Sequence, residues 1–204
     1  MWPAEEGTGE CSSRYSPYRR ARDRVGSAMS QAFSRSEMYY VAAQERFAEA
    51  TLLYTNRQFA GACYLAGCAI ESTFWAFILE SNKVGKGRHD LPLLYREGLG
   101  KRLNSEFTEK HRGGAALNDQ KLDAVLNRSK RISEYLTHAQ ARWQNRFRYY
   151  PCSALEAIIK KSPGLRKGLE QPFIKGSVNI LLEACQFFLE LGRRYLESDS
   201  CTNG

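Results

Sequence analysis

Histidine is scarce in this chain, and its cysteines are not arranged as metal ligands. The 204 residues include three histidines and six cysteines, with no Cys-x-x-Cys pair and no cluster that combines the two residue types. Structural zinc sites take their ligands from such closely spaced pairs, so the sequence excludes a zinc-finger type of site. A glycine-rich phosphate loop, a nucleophile–base triad and a catalytic carboxylate pair are missing as well. We therefore expect neither a metal nor a cofactor.

Strand-forming patterns are absent too. No segment alternates apolar and polar residues in the way that a half-buried strand requires, which excludes a sheet and predicts an all-α fold. No secretion signal is visible at the amino terminus. Because unpaired cysteines are typical of reducing compartments, we expect a cytoplasmic setting.

Positive charge is in excess. Thirty Lys and Arg residues against 22 Asp and Glu residues give a formal net charge of +8, which favours an anionic partner such as RNA, DNA, a nucleotide or an acidic protein. Residues 1–34 contain the cluster Arg14, Arg19, Arg20, Arg22 and Arg24 and are rich in Gly, Ser and Pro, so we expect a disordered basic tail. This tail is either a nucleic-acid arm or a segment upstream of a true start at Met29.

Residues 35–198 are the predicted helical domain, and 199–204 are a short carboxy-terminal tail. The first helix is predicted to begin with Ser36 as its N-cap, and the second to run from about Phe59 to Ser81. Because the join between them is short, we expect an antiparallel hairpin. The apolar face of the first helix comprises Tyr40, Ala43, Phe47, Ala50 and Tyr54.

The remaining helices are predicted to pack on this hairpin as a helical bundle. Asp90 is the expected N-cap of a short third helix, and a polar connection is expected over 101–117. The later elements are a helix from 118 or 119 to about 143, a short helix at 153–161, a loop at 162–172 and a long carboxy-terminal helix at 173–197.

The second helix is long and apolar and contains one charge, Glu71. Its length would suffice to cross a membrane, but Glu71, Ser72 and Thr73 argue for a core helix, so we expect no membrane association. A buried carboxylate needs a partner. We predict that Glu71 pairs with Arg146 or Arg148.

Three segments together resemble the HEPN family of helical domains. They are Tyr64-Leu-Ala-Gly-Cys-Ala-Ile-Glu71, then Gly87-Arg-His-Asp-Leu91 with Leu94, and finally Arg146-Phe-Arg-Tyr-Tyr-Pro151. The resemblance covers about 37–197. It implies a bundle tied to RNA, nucleotides, prokaryotic defence or toxin–antitoxin systems, a homodimer, and a nucleotidyltransferase-type protein partner. Trp75 stands where family members often have lysine.

Arg131 and His138 are candidate catalytic residues. Active HEPN ribonucleases carry an arginine followed a few residues later by a histidine, and six residues separate this pair. Seven positions advance a helix by about 700°, which places both side chains on nearly one face. Histidine moves protons near neutral pH, and arginine stabilises charge on a phosphorane. The alternative interpretation is a solvated helix face, and the Tyr-Tyr-Pro sequence is typical of the non-catalytic branch.

A basic aromatic segment supplies the candidate binding residues. We predict that RNA or a nucleotide contacts Arg142, Trp143, Arg146, Arg148 and Tyr149, because arginine binds phosphate and aromatic rings stack on bases. The alternative is an aromatic cover over the end of the bundle.

His89 and Asp90 are expected to cap or pack the third helix. The sequence thus predicts a non-catalytic HEPN-like binding module for RNA, a nucleotide or a partner protein. The alternative is a metal-independent endoribonuclease that uses Arg131 and His138 across a dimer.

Overall fold

The computed structural model describes residues 34–81, 89–112, 119–166, 169–170 and 172–197. The predicted tail at 1–33 and the residues from 198 onward lie outside these ranges. Every regular element within them is helical, which confirms the all-α prediction. The long helices are α1 (Arg35–Thr55), α2 (Phe59–Glu80), α5 (Asp119–Arg142) and α8 (Phe173–Gly192). The short ones are α3 (Leu91–Glu97), α4 (Leu99–Arg112), α6 (Cys152–Lys161) and α7 (Pro163–Arg166).

Helices α1 and α2 form the predicted antiparallel hairpin. Near the start of α1, Ser36 Oγ donates a hydrogen bond to the Ala76 carbonyl near the end of α2, at 2.8 Å. At the other end, Leu53 lies against Gly61. The predicted N-cap role of Ser36 is wrong, because this residue lies inside the helix and its hydroxyl joins the two helices instead.

Helix α8 packs along the hairpin. The Tyr40 hydroxyl of α1 donates to the Leu189 carbonyl at 2.9 Å, and the rings of Phe74 and Phe188 meet edge to face at 4.9 Å between centroids. Helix α5 also packs on α8, where the ring centroids of Tyr135 and Phe187 lie 4.7 Å apart. The core therefore lies between α2 and α8, the two most buried helices of the described residues.

Two glycines, one in α2 and one in α8, allow aromatic side chains to pack closely against helix backbone. A Cβ atom built on Gly67 would lie 1.9 Å from the Trp143 ring, so only glycine leaves room for that indole. Gly192 in α8 likewise accommodates the Tyr40 ring, where an added Cβ would come within 2.5 Å. Two large aromatic side chains are therefore accommodated against helix backbone.

Helix α2 is the one described helix that is long and apolar enough to cross a membrane by length and composition. However, 61% of its most apolar window is buried inside the bundle. Burial of this kind is typical of a core helix, whose apolar side chains pack against protein.

Three predicted boundaries need correction. The polar connection expected over 101–117 is largely helical, since α4 extends to Arg112. The Lys, Arg, Leu and Glu residues from Lys101 to Arg112 are good helix formers, and no Gly or Pro occurs among them. The loop expected at 162–172 contains α7. The last helix changes at Gly192 to a π-helical turn, Arg193–Glu197.

Candidate functional site

The basic aromatic segment begins where α5 ends, and its first part is buried. Trp143 is 3% exposed. Its indole Nε1 donates to the Tyr64 carbonyl of α2 at 3.1 Å. Gln144 then adopts an extended conformation, and a 3-10 turn follows over Asn145–Tyr149 with Phe147 buried. Trp143 and Phe147 therefore attach the segment to the bundle.

Arg142 is also buried, at 7% exposed. Its Nη1 donates to His138 Nδ1 at 3.2 Å, while Nε has no hydrogen-bond partner among the described residues. Burial lowers the pKa of the guanidinium, because desolvation disfavours the charged form. The side chain lines a cavity of about 20 Å³ with Cys63 and Ser177. The structure thus does not bring Arg142 or Trp143 to the surface, where the predicted ligand contact would require them.

The later part of the segment is exposed. Tyr149 is 71% exposed, and the Arg148 guanidinium lies over its ring at 4.6 Å from the centroid. Arg146 is exposed as well. A guanidinium stacked on a tyrosine ring keeps its edge available for a phosphate. Three of the five predicted binding residues therefore lie together at the surface.

Two residues of α2 extend this surface. The Tyr64 hydroxyl interacts with the Cys68 thiol and with Arg148; the net effect raises the pKa of Tyr64, with Cys68 as the largest cause. The same contact with Tyr64 is the main reason that the pKa of Arg148 is raised. Burial raises the pKa of the half-buried Cys68 thiol, so the thiol is neutral near neutral pH. We call this set the basic aromatic surface: Tyr64, Cys68, Arg146, Arg148 and Tyr149.

Sequence reasoning did not predict a site role for Tyr64 or Cys68. The four-residue spacing puts both on one face of α2, but nothing in the sequence indicates that residue 148 packs beside residue 64. That proximity depends on the insertion of Trp143 against Gly67.

Glu71 has a partner, but not the predicted one. Its carboxylate oxygens lie 2.9 and 3.1 Å from His89 Nδ1, and no ion pair to Arg146 or Arg148 is formed. The predicted arginine contact is therefore wrong. Nδ1 of His89 donates, because an ionised carboxylate can only accept. The contact therefore brings together two of the three segments that resemble the HEPN family, the one that contains Glu71 and the one that contains His89.

Asp90 is confirmed as the N-cap of α3. Its Oδ1 accepts a hydrogen bond from the Leu93 amide at 3.0 Å, and Pro92 occupies the first turn, where proline is tolerated because its amide would have no partner. Asp90 and His89 together thus fix the start of α3 against α2.

Arg131 and His138 make separate contacts within the chain. The Arg131 guanidinium lies 5.0 Å from the Phe187 ring centroid. His138 accepts from Arg142 through Nδ1, so its proton is on Nε2, 3.7 Å from a Glu134 carboxylate oxygen. No hydrogen bond or ion pair links Arg131 with His138 in the described structure. Both histidine nitrogens therefore face other side chains of α5.

Within residues 34–197, the side chains that the structure describes contain no group of three His, Cys, Asp or Glu residues that would hold a metal ion. No protein-family model, curated protein or solved structure matches the chain.

Proposed function

We propose that this chain is a HEPN-like, non-catalytic binding module that binds single-stranded RNA through the basic aromatic surface. The supporting observation is the exposed Arg148–Tyr149 pair, with the guanidinium 4.6 Å from the ring centroid. Single-strand binding combines cationic side chains that contact the backbone with aromatic rings on which bases stack. This pair provides one of each, and Arg146 adds a second exposed cation.

The all-α bundle and the contact between Glu71 and His89 support the HEPN part of the proposal. Two segments of the resemblance, about 20 positions apart in the sequence, meet in space. The contact gives the two segments a shared structural role, which explains why both are present in this chain.

RNA fits this surface better than a compact nucleotide does. Tyr149 presents an open ring rather than one wall of a closed pocket, and every base has a face that stacks on such a ring. The net charge of +8 adds long-range attraction for a polyanion.

The experiment is a titration of fluorescently labelled single-stranded RNA at several salt concentrations. Arg148→Ala is expected to weaken binding and to reduce the slope of log K against log salt by about 0.7, the value for one phosphate contact on a single strand. Tyr149→Ala is expected to lose about 1–3 kcal/mol of stacking with an unchanged salt slope.

Arg96→Ala is the matched control, since Arg96 is exposed at the end of α3 and removing it changes the net charge equally. If Arg96→Ala weakens binding as much as Arg148→Ala does, the interaction is non-specific attraction. Tight RNA binding that survives both Arg148→Ala and Tyr149→Ala would contradict the proposed surface.

The ribonuclease alternative stays a prediction. It requires His138 to exchange a proton with RNA, whereas His138 Nδ1 accepts from the buried Arg142. Incubation of RNA with the protein in excess chelator tests it. His138-dependent cleavage would support the enzyme, and intact RNA would favour the binding module. The homodimer, the nucleotidyltransferase-type partner and the cytoplasmic setting also stay predictions.

A further inference from the structure

A groove between α5 and α8 is lined by three arginines. Two belong to α5 and one to the π-helical turn after α8, and the groove has a volume of about 230 Å³. It shares no residue with the basic aromatic surface. Its lining comprises Asn127, Arg128, Arg131, Phe187, Glu190, Leu191 and Arg194.

Two of these guanidinium groups are held in place by uncharged partners. Arg128 Nη1 donates to the Tyr195 hydroxyl at 2.9 Å. Arg131 lies over the rings of Phe187, at 5.0 Å, and Tyr135, at 5.9 Å. Neither forms an ion pair with a carboxylate in the described part of the chain. Because each guanidinium carries five N–H donors, most of their hydrogen-bonding capacity remains available to a ligand.

The charges around the groove are not balanced. Its lining carries three arginines and one glutamate, a difference of +2. The Glu190 carboxylate accepts a hydrogen bond from Gln186 at 3.2 Å and is not paired with any of the three arginines. Like charges that line one groove repel each other, and a bound anion would relieve that repulsion.

We propose that this groove binds a phosphate group in the form of a phosphomonoester or a pyrophosphate. Planar guanidinium forks match the oxygen atoms of phosphate in bidentate geometry, and a doubly charged anion balances the excess charge of the lining. A single carboxylate would leave both the charge and the volume unmatched. The proposal is independent of the RNA-binding surface, since it depends on different residues.

Calorimetric titration at fixed ionic strength tests this site with inorganic phosphate, pyrophosphate and phenyl phosphate. The three probes distinguish a free anion from a phosphate carried on an organic group. Arg131→Gln and Arg194→Gln are each expected to weaken pyrophosphate binding about tenfold, since each removes a charge-assisted contact. Arg96→Gln, which removes the same charge outside the groove, should change it less than about twofold.

Glu190→Gln provides a test in the opposite direction. It removes the negative charge from the lining and should tighten pyrophosphate binding several-fold. Arg194 is exposed, so its variant keeps the test valid if Arg131→Gln does not fold. Absence of binding of all three probes by the wild-type protein would overturn the proposal. So would equal weakening by Arg96→Gln and the groove variants.

Discussion

Two halves of the segment 142–150 contain similar residues in opposite environments. Arg142 and Trp143 are buried, whereas Arg148 and Tyr149 are exposed and stacked on each other. The extended backbone of Gln144 separates the last turn of α5 from the 3-10 turn, in which Phe147 is still buried but Arg148 and Tyr149 are exposed. The arginine and the aromatic residue of the first half are therefore part of the core, whereas those of the second half are available to a ligand. Packing against the other helices, and not residue type, determines which residues of the segment are exposed.

The largest effect in this comparison is expected from Trp143→Ala. This change removes an indole that fills the space over Gly67 and loses the hydrogen bond to the Tyr64 carbonyl. Loss of a buried tryptophan destabilises a fold by about 3–5 kcal/mol. Denaturant unfolding followed by circular dichroism measures it. Tyr149→Ala is the control, and it should leave the midpoint unchanged; equal loss in both variants would contradict the division into halves.

A smaller effect is expected from Arg142→Ala. The change leaves a cavity and removes the donor to His138 Nδ1, so we expect a loss of about 1–3 kcal/mol in the free energy of unfolding. Arg142→Met should lose less, because methionine fills much of the volume without a buried, unpaired Nε. Denaturant unfolding measures the stability of Arg142→Ala and Arg142→Met, and Arg148→Ala, which changes an exposed arginine, is the control. A greater loss of stability in Arg148→Ala than in Arg142→Ala would contradict the burial of Arg142 as the cause.

The smallest effect is expected from Glu71→Gln. Its partner His89 is 53% exposed at the side chain, and ion pairs near solvent contribute about 0–1 kcal/mol. The thermal midpoint should fall only slightly, whereas RNA affinity should be unchanged because Glu71 pairs with His89 and with neither Arg146 nor Arg148. A marked change in RNA affinity would indicate that Glu71 positions the basic aromatic surface after all.

Much of the fold follows from local sequence patterns. The hairpin, the Asp90 cap and the span of α5 are encoded by apolar periodicity and by a capping side chain over a few residues. The partner of Glu71 was mispredicted for a physical reason. An arginine is the stronger cation, but which cation reaches a carboxylate depends on how α3 packs against α2, and this long-range arrangement has no local signal.

The candidate site, too, could be predicted from the sequence only in part. The composition of 142–150 correctly indicates a basic aromatic segment, but its division into buried and exposed residues depends on the space above Gly67. The contribution of Tyr64 depends on the same packing. Residue chemistry was therefore readable from the sequence, whereas accessibility required the tertiary structure.

RNA is expected to contact the exposed half of this segment and not the buried half. Ultraviolet crosslinking of single-stranded RNA to the folded protein, with the adducts mapped by mass spectrometry, tests it most directly. We expect adducts at Tyr149 and its neighbours, lost in Tyr149→Ala and retained in Arg96→Ala. Adducts at Trp143 in the folded protein, or adducts exclusively outside the basic aromatic surface, would contradict the claim.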